Sequence, residues 1–311
     1  MAVQIDNYHF VISAPRSGST WLANALNHHP EILATENRLF GDFCQLWPNP
    51  KGKLSPRITA DKYFRVLSQH SFHKHMNVQG AGQLQEKLLS EYFQFLAGFL
   101  RRQSGKSIVV DKVTPYLGTS QIVRDMIAKY FRNAKVVHLV RDGRDVAVSG
   151  VFDWVARENK DSVRFQKYVN GDDRPLTRFF DEDSLKTWAG YWADSFAAID
   201  AAQVLKIRYE ELLSDQADTL GKVFEYLELD YAGDIVQTCI DESSFETTTG
   251  RASGVDDPLA KARKGVAGDW TRYFTRADAE LFQQLVGDRL DSEGYQTDAN
   301  WVQDCPESLS L

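Results

Sequence analysis

Residues His9–Trp21 read HFVISAPRSGSTW, and their order fixes how the rest of the chain is understood. The first six, His9–Ala14, form a short β-branched and apolar run that reads as a buried strand, ended by Pro15. A helix is expected from Ser19 to His29, because Leu22, Ala25, Leu26 and His29 fall on one stripe at i, i+3, i+4 and i+7. Backbone N–H groups at such a helix start lack intrahelical acceptors and favour anions. Gly18 permits close backbone approach, Ser17, Ser19 and Thr20 add hydroxyl donors, and Arg16 adds a fixed positive charge. Trp21 falls beside the apolar stripe, where an indole can stack on a base. A plain Pro-and-Gly turn before a capped helix accounts for the same residues. The pattern G-x-x-x-x-G-K-[ST] is absent, which weighs against a nucleoside triphosphatase.

Working outward, Ser107–Val110, Lys135–Val140 and Val204–Ile207 are further strand candidates, and Glu31–Thr35 is a short extended stretch. Lys135–Val140 is apolar on both faces except at His138, as a parallel strand covered on two sides requires. Helices are expected at Leu84–Gln103, Thr119–Phe131, Asp145–Val155, Ser184–Ala202, Leu212–Leu227 and Arg276–Ser292. Strands alternating with helices of this length indicate an α/β fold, a central parallel sheet flanked by helices. The stripe Trp188, Trp192, Phe196 is read as core. Pro48–Arg57 and Asn170–Pro175 are loop-like, but neither divides the chain. One domain over 1–311 is expected, with its core at about 9–294 and a weakly structured tail at 295–311.

The 311 residues carry a net charge of −7, which argues against a general nucleic-acid coat. A local cluster of Arg and Lys can still hold a small anion. Cys44, Cys239 and Cys305 show neither metal-ligand spacing nor full disulfide pairing. No apolar run approaches the roughly 20 residues of a membrane span, and the N-terminus lacks a basic start. A cytoplasmic protein is expected, and an oligomer is possible.

Two further segments join the first. Arg141–Ser149 reads RDGRDVAVS and follows a strand directly, so Arg141 falls at the carboxyl end where parallel sheets bind ligands. Asp142 suits a helix N-cap, and Ser149 lies one to two turns up. The alternative is a surface turn in which Arg144 pairs with Asp145. Arg263–Trp270 reads RKGVAGDW, two cations before a glycine followed by Thr271–Thr275. Glycines let backbone wrap a phosphate closely, although a basic loop leading into a helix fits as well. Trp270 and Phe274 are expected to anchor this segment.

Together these segments resemble the superfamily of sulfotransferases that use 3′-phosphoadenosine-5′-phosphosulfate (PAPS), over about residues 9–275. Ser13–Trp21 resembles the 5′-phosphosulfate loop, with Arg16 where cytosolic members carry Lys and where tyrosylprotein and some bacterial members carry Arg. Arg with Ser eight residues later resembles the 3′-phosphate motif, and RKGVAGDW resembles the signature K-x-G-x-x-G-x-W. The resemblance implies a P-loop-like fold and sulfuryl transfer to a hydroxyl, less readily an amine. It places Arg16, Ser17, Gly18, Ser19, Thr20 and Trp21 at the 5′ end. Arg141, Ser149, Arg263, Lys264 and Gly265 fall at the 3′-phosphate, with Arg144 as a neighbour, and Tyr209, Ser243 and Phe245 at the base. No metal is expected.

The family's K-T-H-x-P segment here reads Asp111–Pro115, DKVTP, which lacks the histidine that serves as the usual base. Glu36, followed by Arg38, resembles the base of tyrosylprotein sulfotransferases, and pairing with Arg38 is its alternative. Lys112 is the expected cation at the leaving oxygen, with pairing to Asp111 as its alternative. His70, His73 and His75 form a local cluster that suggests neither base nor metal. A phosphoryl transferase and a non-catalytic adenosine-bisphosphate binder remain as other classes. The acceptor is unspecified, and Phe40, Phe43, Trp47, Tyr63, Phe64, Phe72, Trp154 and Phe165 point only weakly to a ring-bearing one.

Overall fold

The computed structural model describes residues 7–36, 64–65, 67–68, 78–115, 118–162, 165–170, 175–199, 204–295 and 300–310. Along the first half run β1 (Tyr8–Ile12), α1 (Ser19–Asn27), β2 (Ile32–Glu36), α2 (Val78–Ser104), β3 (Ile108–Val113), α3 (Ser120–Tyr130), β4 (Val136–Val140) and α4 (Gly143–Val155). Then come α5 (Glu182–Ser195), β5 (Val204–Arg208), α6 (Tyr209–Ser214), α7 (Gln216–Tyr226), α8 (Gly233–Ser243), α9 (Phe245–Thr249), α10 (Arg276–Ser292) and α11 (Trp301–Asp304).

The five strands form one parallel sheet in the order β2-β3-β1-β4-β5. Successive side chains of a strand point to opposite faces, and β1 is apolar on both apart from buried His9, which accepts from the Lys135 N–H at 3.1 Å. Tyr8, Phe10 and Ile12 meet Leu89 and Phe93 of α2 and Val123 and Ile127 of α3. Val11 faces Leu22 and Leu26 of α1 and Val223 and Phe224 of α7. In β4 the one polar interruption, His138, is buried edge-on to Phe196 at 5.1 Å. Burial, then Lys206 and Arg289 nearby, push its imidazole down to about 3, so it is neutral and compatible with the core.

A third apolar cluster lies beside the sheet, where α4, α5 and α10 bury Phe152, Trp188, Trp192, Phe274 and Phe282. Trp188 and Trp192 sit in this core as expected from their spacing. Three expectations need correction. The span Leu212–Leu227 is two helices, because Asp215 leaves helical backbone and caps α7 by accepting from the Asp218 N–H. The helix expected at Ser184–Ala202 ends at Ser195 in a short 3₁₀ turn, Phe196–Ala198. Residues 300–310 are not weakly structured: Trp301 and Cys305 are buried, and Leu309 pairs antiparallel with Leu176. A bulky indole with an apolar crevice to enter outweighs the polar composition around it.

Candidate nucleotide and transfer site

The carboxyl ends of β1, β3 and β4 open on one side of the sheet, and the three singled-out segments meet there. Between β1 and α1, Arg16 (φ 69°) and Gly18 (φ 87°) both take left-handed backbone. That conformation is uncommon for arginine, and such strain persists where surroundings over-determine it. Gly18 caps α1 without a side-chain hydrogen bond, and no acidic residue stands in the first turn. The helix start therefore keeps its affinity for anions. A Cβ on Gly18 would lie 2.6 Å from the Tyr209 ring, so glycine is needed for the approach.

Tyr209, the first residue after β5, carries the Arg141 guanidinium over its ring at 4.5 Å. One edge of the ring thus touches the first loop while its face supports the cation of the second. Arg141 donates from Nη1 to the Arg16 carbonyl at 3.1 Å and from Nη2 to the Val266 carbonyl at 3.0 Å. One side chain therefore links all three segments. Asp142 caps α4, as expected, by accepting from the Arg144 N–H at 2.9 Å.

Arg16 donates from Nε to the Ser149 hydroxyl at 3.2 Å and from Nη1 to Asp153 at 3.0 Å, and its Nη2 bonds the Lys261 carbonyl. Burial pushes its pKa below the ordinary arginine value, as do Arg141, Arg157 and Arg263 nearby, while Asp153 opposes them. Those four cations gather around the site, met by the carboxylates of Asp153, Asp145, Asp256 and Asp269. Ser17 Oγ and Arg141 Nε are buried and take no hydrogen bond from the described residues. Buried donors of this kind suit a polyanionic ligand.

The glycine-rich segment behaves differently from expectation at its cations. The Arg263 guanidinium is buried against Asp256 at 2.8 Å and also bonds Asp269, with Phe152 and Tyr273 rings alongside. Lys264 pairs with Asp269 at 2.6 Å. Both cations are engaged by carboxylates that anchor the segment. Gly265 (φ 69°) lies so close to Phe245 that a Cβ would be 2.6 Å from its ring. Trp21 donates its indole N–H to the Ser243 carbonyl at 2.7 Å, while the Ser243 hydroxyl bonds Cys239 within α8. Trp21, Tyr209, Ser243 and Phe245 thus border the same loops. Arg144 does not pair with Asp145: it binds Asp142 at 2.7 Å and stacks on Trp270 at 3.8 Å.

At the other end of the site, the β2–β3 register sets Glu36 opposite Lys112. The Lys112 ammonium lies 2.6 Å from Glu36 and 3.1 Å from the Thr20 hydroxyl. It is buried, whereas the Glu36 side chain is 48% exposed. Burial pushes the Lys112 pKa below its ordinary value, against the Glu36 hydrogen bond and charge. Asp111 accepts from Thr35 at 2.7 Å. Beside Glu36 opens a groove of about 670 Å³ lined by Thr20, Asn24, Leu33, Tyr92, Leu96 and Leu100 among others. No sequence motif marked Tyr92, Leu96 and Leu100; the apolar face of α2 was the available signal.

Arg38, Phe40, Phe43, Trp47, Tyr63, His70, Phe72, His73 and His75 lie outside the described residues. Phe64 packs against Tyr92, and Trp154 and Phe165 belong to the third core. Among the described residues, no group of three or more His, Cys, Asp and Glu is placed to hold a metal ion. No helix among them is long and apolar enough to cross a membrane.

Known proteins bear on this arrangement. The chain is 26% identical to mouse Sulfotransferase 2A6 over 208 residues, 62% of this chain and 70% of that protein. Guinea pig 3-beta-hydroxysteroid sulfotransferase is 24% identical over 206 residues, 62% and 69% of the two chains. The fold matches the crystal structure of mouse sulfotransferase SULT7A1 complexed with PAP, with a TM-score of 0.50 at 18% identity over 93% of this chain and 86% of that one. The profile of the Sulfotransferase family matches residues 9–233, and the chain belongs to the sulfotransferase family, enzymes that move a sulfuryl group.

Proposed function

We propose that this chain transfers the sulfuryl group of PAPS to a hydroxyl acceptor by in-line displacement, releasing adenosine 3′,5′-bisphosphate. The observation that carries the reading is the single Arg141 side chain joining the phosphate loop, the β4–α4 turn and the glycine-rich segment. Adenosine 3′,5′-bisphosphate has charge at both ends, and the site has a cationic group for each. The α1 start with Arg16, Ser17, Gly18, Ser19 and Thr20 suits the 5′ end. Arg141 and Ser149 suit the 3′-phosphate, with the Lys264–Gly265 backbone closing over it. Arg263 acts here as the anchor of that backbone, because two carboxylates already engage it. Trp21, Tyr209, Ser243 and Phe245 border the base. The whole chain is read as one domain, since residues 300–310 join the third core. Binding of PAP by the structural relative accords with this assignment.

In transfer, a new S–O bond forms to the acceptor oxygen while the bond from sulfur to the leaving phosphate oxygen breaks. The acceptor proton passes to the Glu36 carboxylate, which stands half-exposed at the mouth of the groove. Lys112, fixed between Thr20 and Glu36, and Arg16 stabilise charge on the leaving phosphate. Arg16 stays protonated throughout, since a guanidinium does not give up its proton in proteins.

Calorimetry with adenosine 3′,5′-bisphosphate, 5′-AMP and ATP with Mg²⁺ tests the nucleotide, and labelled PAPS tests transfer. The bisphosphate should bind far more tightly than the other two, and label should reach a hydroxyl acceptor. Preference for ATP with Mg²⁺ overturns the assignment.

A further inference from the structure

We propose that Asp145 is a positioning residue that locks the glycine-rich loop to Arg141, holding both halves of the 3′-phosphate subsite in register. This rests on the proposed nucleotide reading and adds to it a residue that touches no substrate. Asp145 stands in the first turn of α4 with a fully buried side chain. Its Oδ2 accepts from the Gly268 N–H at 2.8 Å and its Oδ1 from the Trp270 N–H at 2.9 Å. The Arg141 Nη2 lies 3.6 Å from Oδ2 and bonds the Val266 carbonyl. Loop and guanidinium are therefore held from the same carboxylate. Gly268 (φ 75°) turns the backbone so that the N–H groups of 268 and 270 face one anion. Displacing that anchor also displaces Asp269, the residue that engages Arg263 and Lys264.

A buried carboxylate is a costly fastener. Burial and then Asp142 push Asp145 up to about 6, against Arg141 and the two loop N–H groups. A carboxyl raised in the folded state favours folding below its unfolded value, and that contribution is lost as pH rises through about 6. At neutral pH the ionised form thus costs stability, while it is the form that accepts both N–H groups and attracts Arg141. The groups facing it are Arg141 at the end of β4, Asp142 in the turn, Tyr209 on α6 and the loop N–H groups of Gly268 and Trp270. Arg144, stacked on Trp270, is the nearest cation of its own helix.

The test compares wild type and Asp145→Asn with adenosine 3′,5′-bisphosphate and with adenosine 5′-phosphosulfate, which lacks the 3′-phosphate. The variant should bind the bisphosphate at least tenfold more weakly and the 5′-phosphosulfate within about threefold of wild type. In turnover, KM for PAPS should rise while kcat at saturating PAPS changes less than threefold. The ratio of variant to wild-type Kd should shrink as pH falls through about 6, where the ligand's own titration cancels. Equal weakening of both ligands would mean a general structural role and would overturn the inference, as would unchanged bisphosphate affinity. Failure of wild type to bind the bisphosphate would instead remove the nucleotide reading and this inference with it. Should the variant not fold, hydrogen exchange on wild type decides. On adding adenosine 3′,5′-bisphosphate, protection of the 268 and 270 amides should rise at least tenfold more than on adding adenosine 5′-phosphosulfate; equal gains refute the inference.

Discussion

The ends of β1 and β4 and the end of β2 meet in the reaction proposed above but are built differently. Around Arg16 and Arg141 the polar groups are buried and cross-linked over long sequence distances, with Arg141 bonded to carbonyls at 16 and 266. Around Glu36 the carboxylate is half-exposed, on a strand with one sheet neighbour among the described residues, and it borders an open groove. The first arrangement suits a ligand of fixed shape, since preorganised donors lower the cost of binding. The second leaves room for acceptors to differ. Nucleotide recognition and acceptor recognition should therefore separate under mutation.

The strongest break in that separation is Arg16→Ala, because the proposed reaction uses Arg16 both to grip the nucleotide and at the reacting bond. Transfer from labelled PAPS should fall about 10³-fold. Glu36→Gln should lower kcat about 10²-fold while calorimetry finds bisphosphate affinity within about twofold; a fully active variant would eliminate Glu36 as base. Arg141→Ala should show the reverse split, a bisphosphate Kd about 30-fold weaker, equivalent to about 2 kcal/mol. Smallest is Leu100→Asp in the groove. It should raise KM about fivefold for an acceptor returned by a labelled-PAPS screen and leave bisphosphate affinity unchanged. A matching loss of nucleotide affinity would show that the two regions are not separable.

The same contrast governs what the sequence could reveal. The apolar runs of β1 and β4 were legible because both their faces are covered, and the loop at 13–21 because strand, turn and helix start are contiguous. Glu36 and Lys112 were each legible as candidates, but their 2.6 Å approach depends on strand register, which no local pattern encodes. For β3, the run Ser107–Val110 stopped short because Asp111 and Lys112 read as an end; Thr35 and Glu36 partner them and carry the strand to Val113. Arg263 illustrates the opposite difficulty. Its motif was plain, yet its pairing with Asp256 and Asp269 was not. Helix α8 was not anticipated, although Trp21 bonds its final residue.

The carboxyl-terminal segment carries a consequence for handling the protein. Trp301 meets Trp270 edge-on at 5.6 Å, with Arg144 also 4.8 Å from its ring, and Leu309 bonds back to Leu176. The glycine-rich loop thus leans on residues some thirty positions downstream. A proteolytic nick near residue 300 would act as a remote lesion, dulling the response to nucleotide while the parallel sheet stays intact.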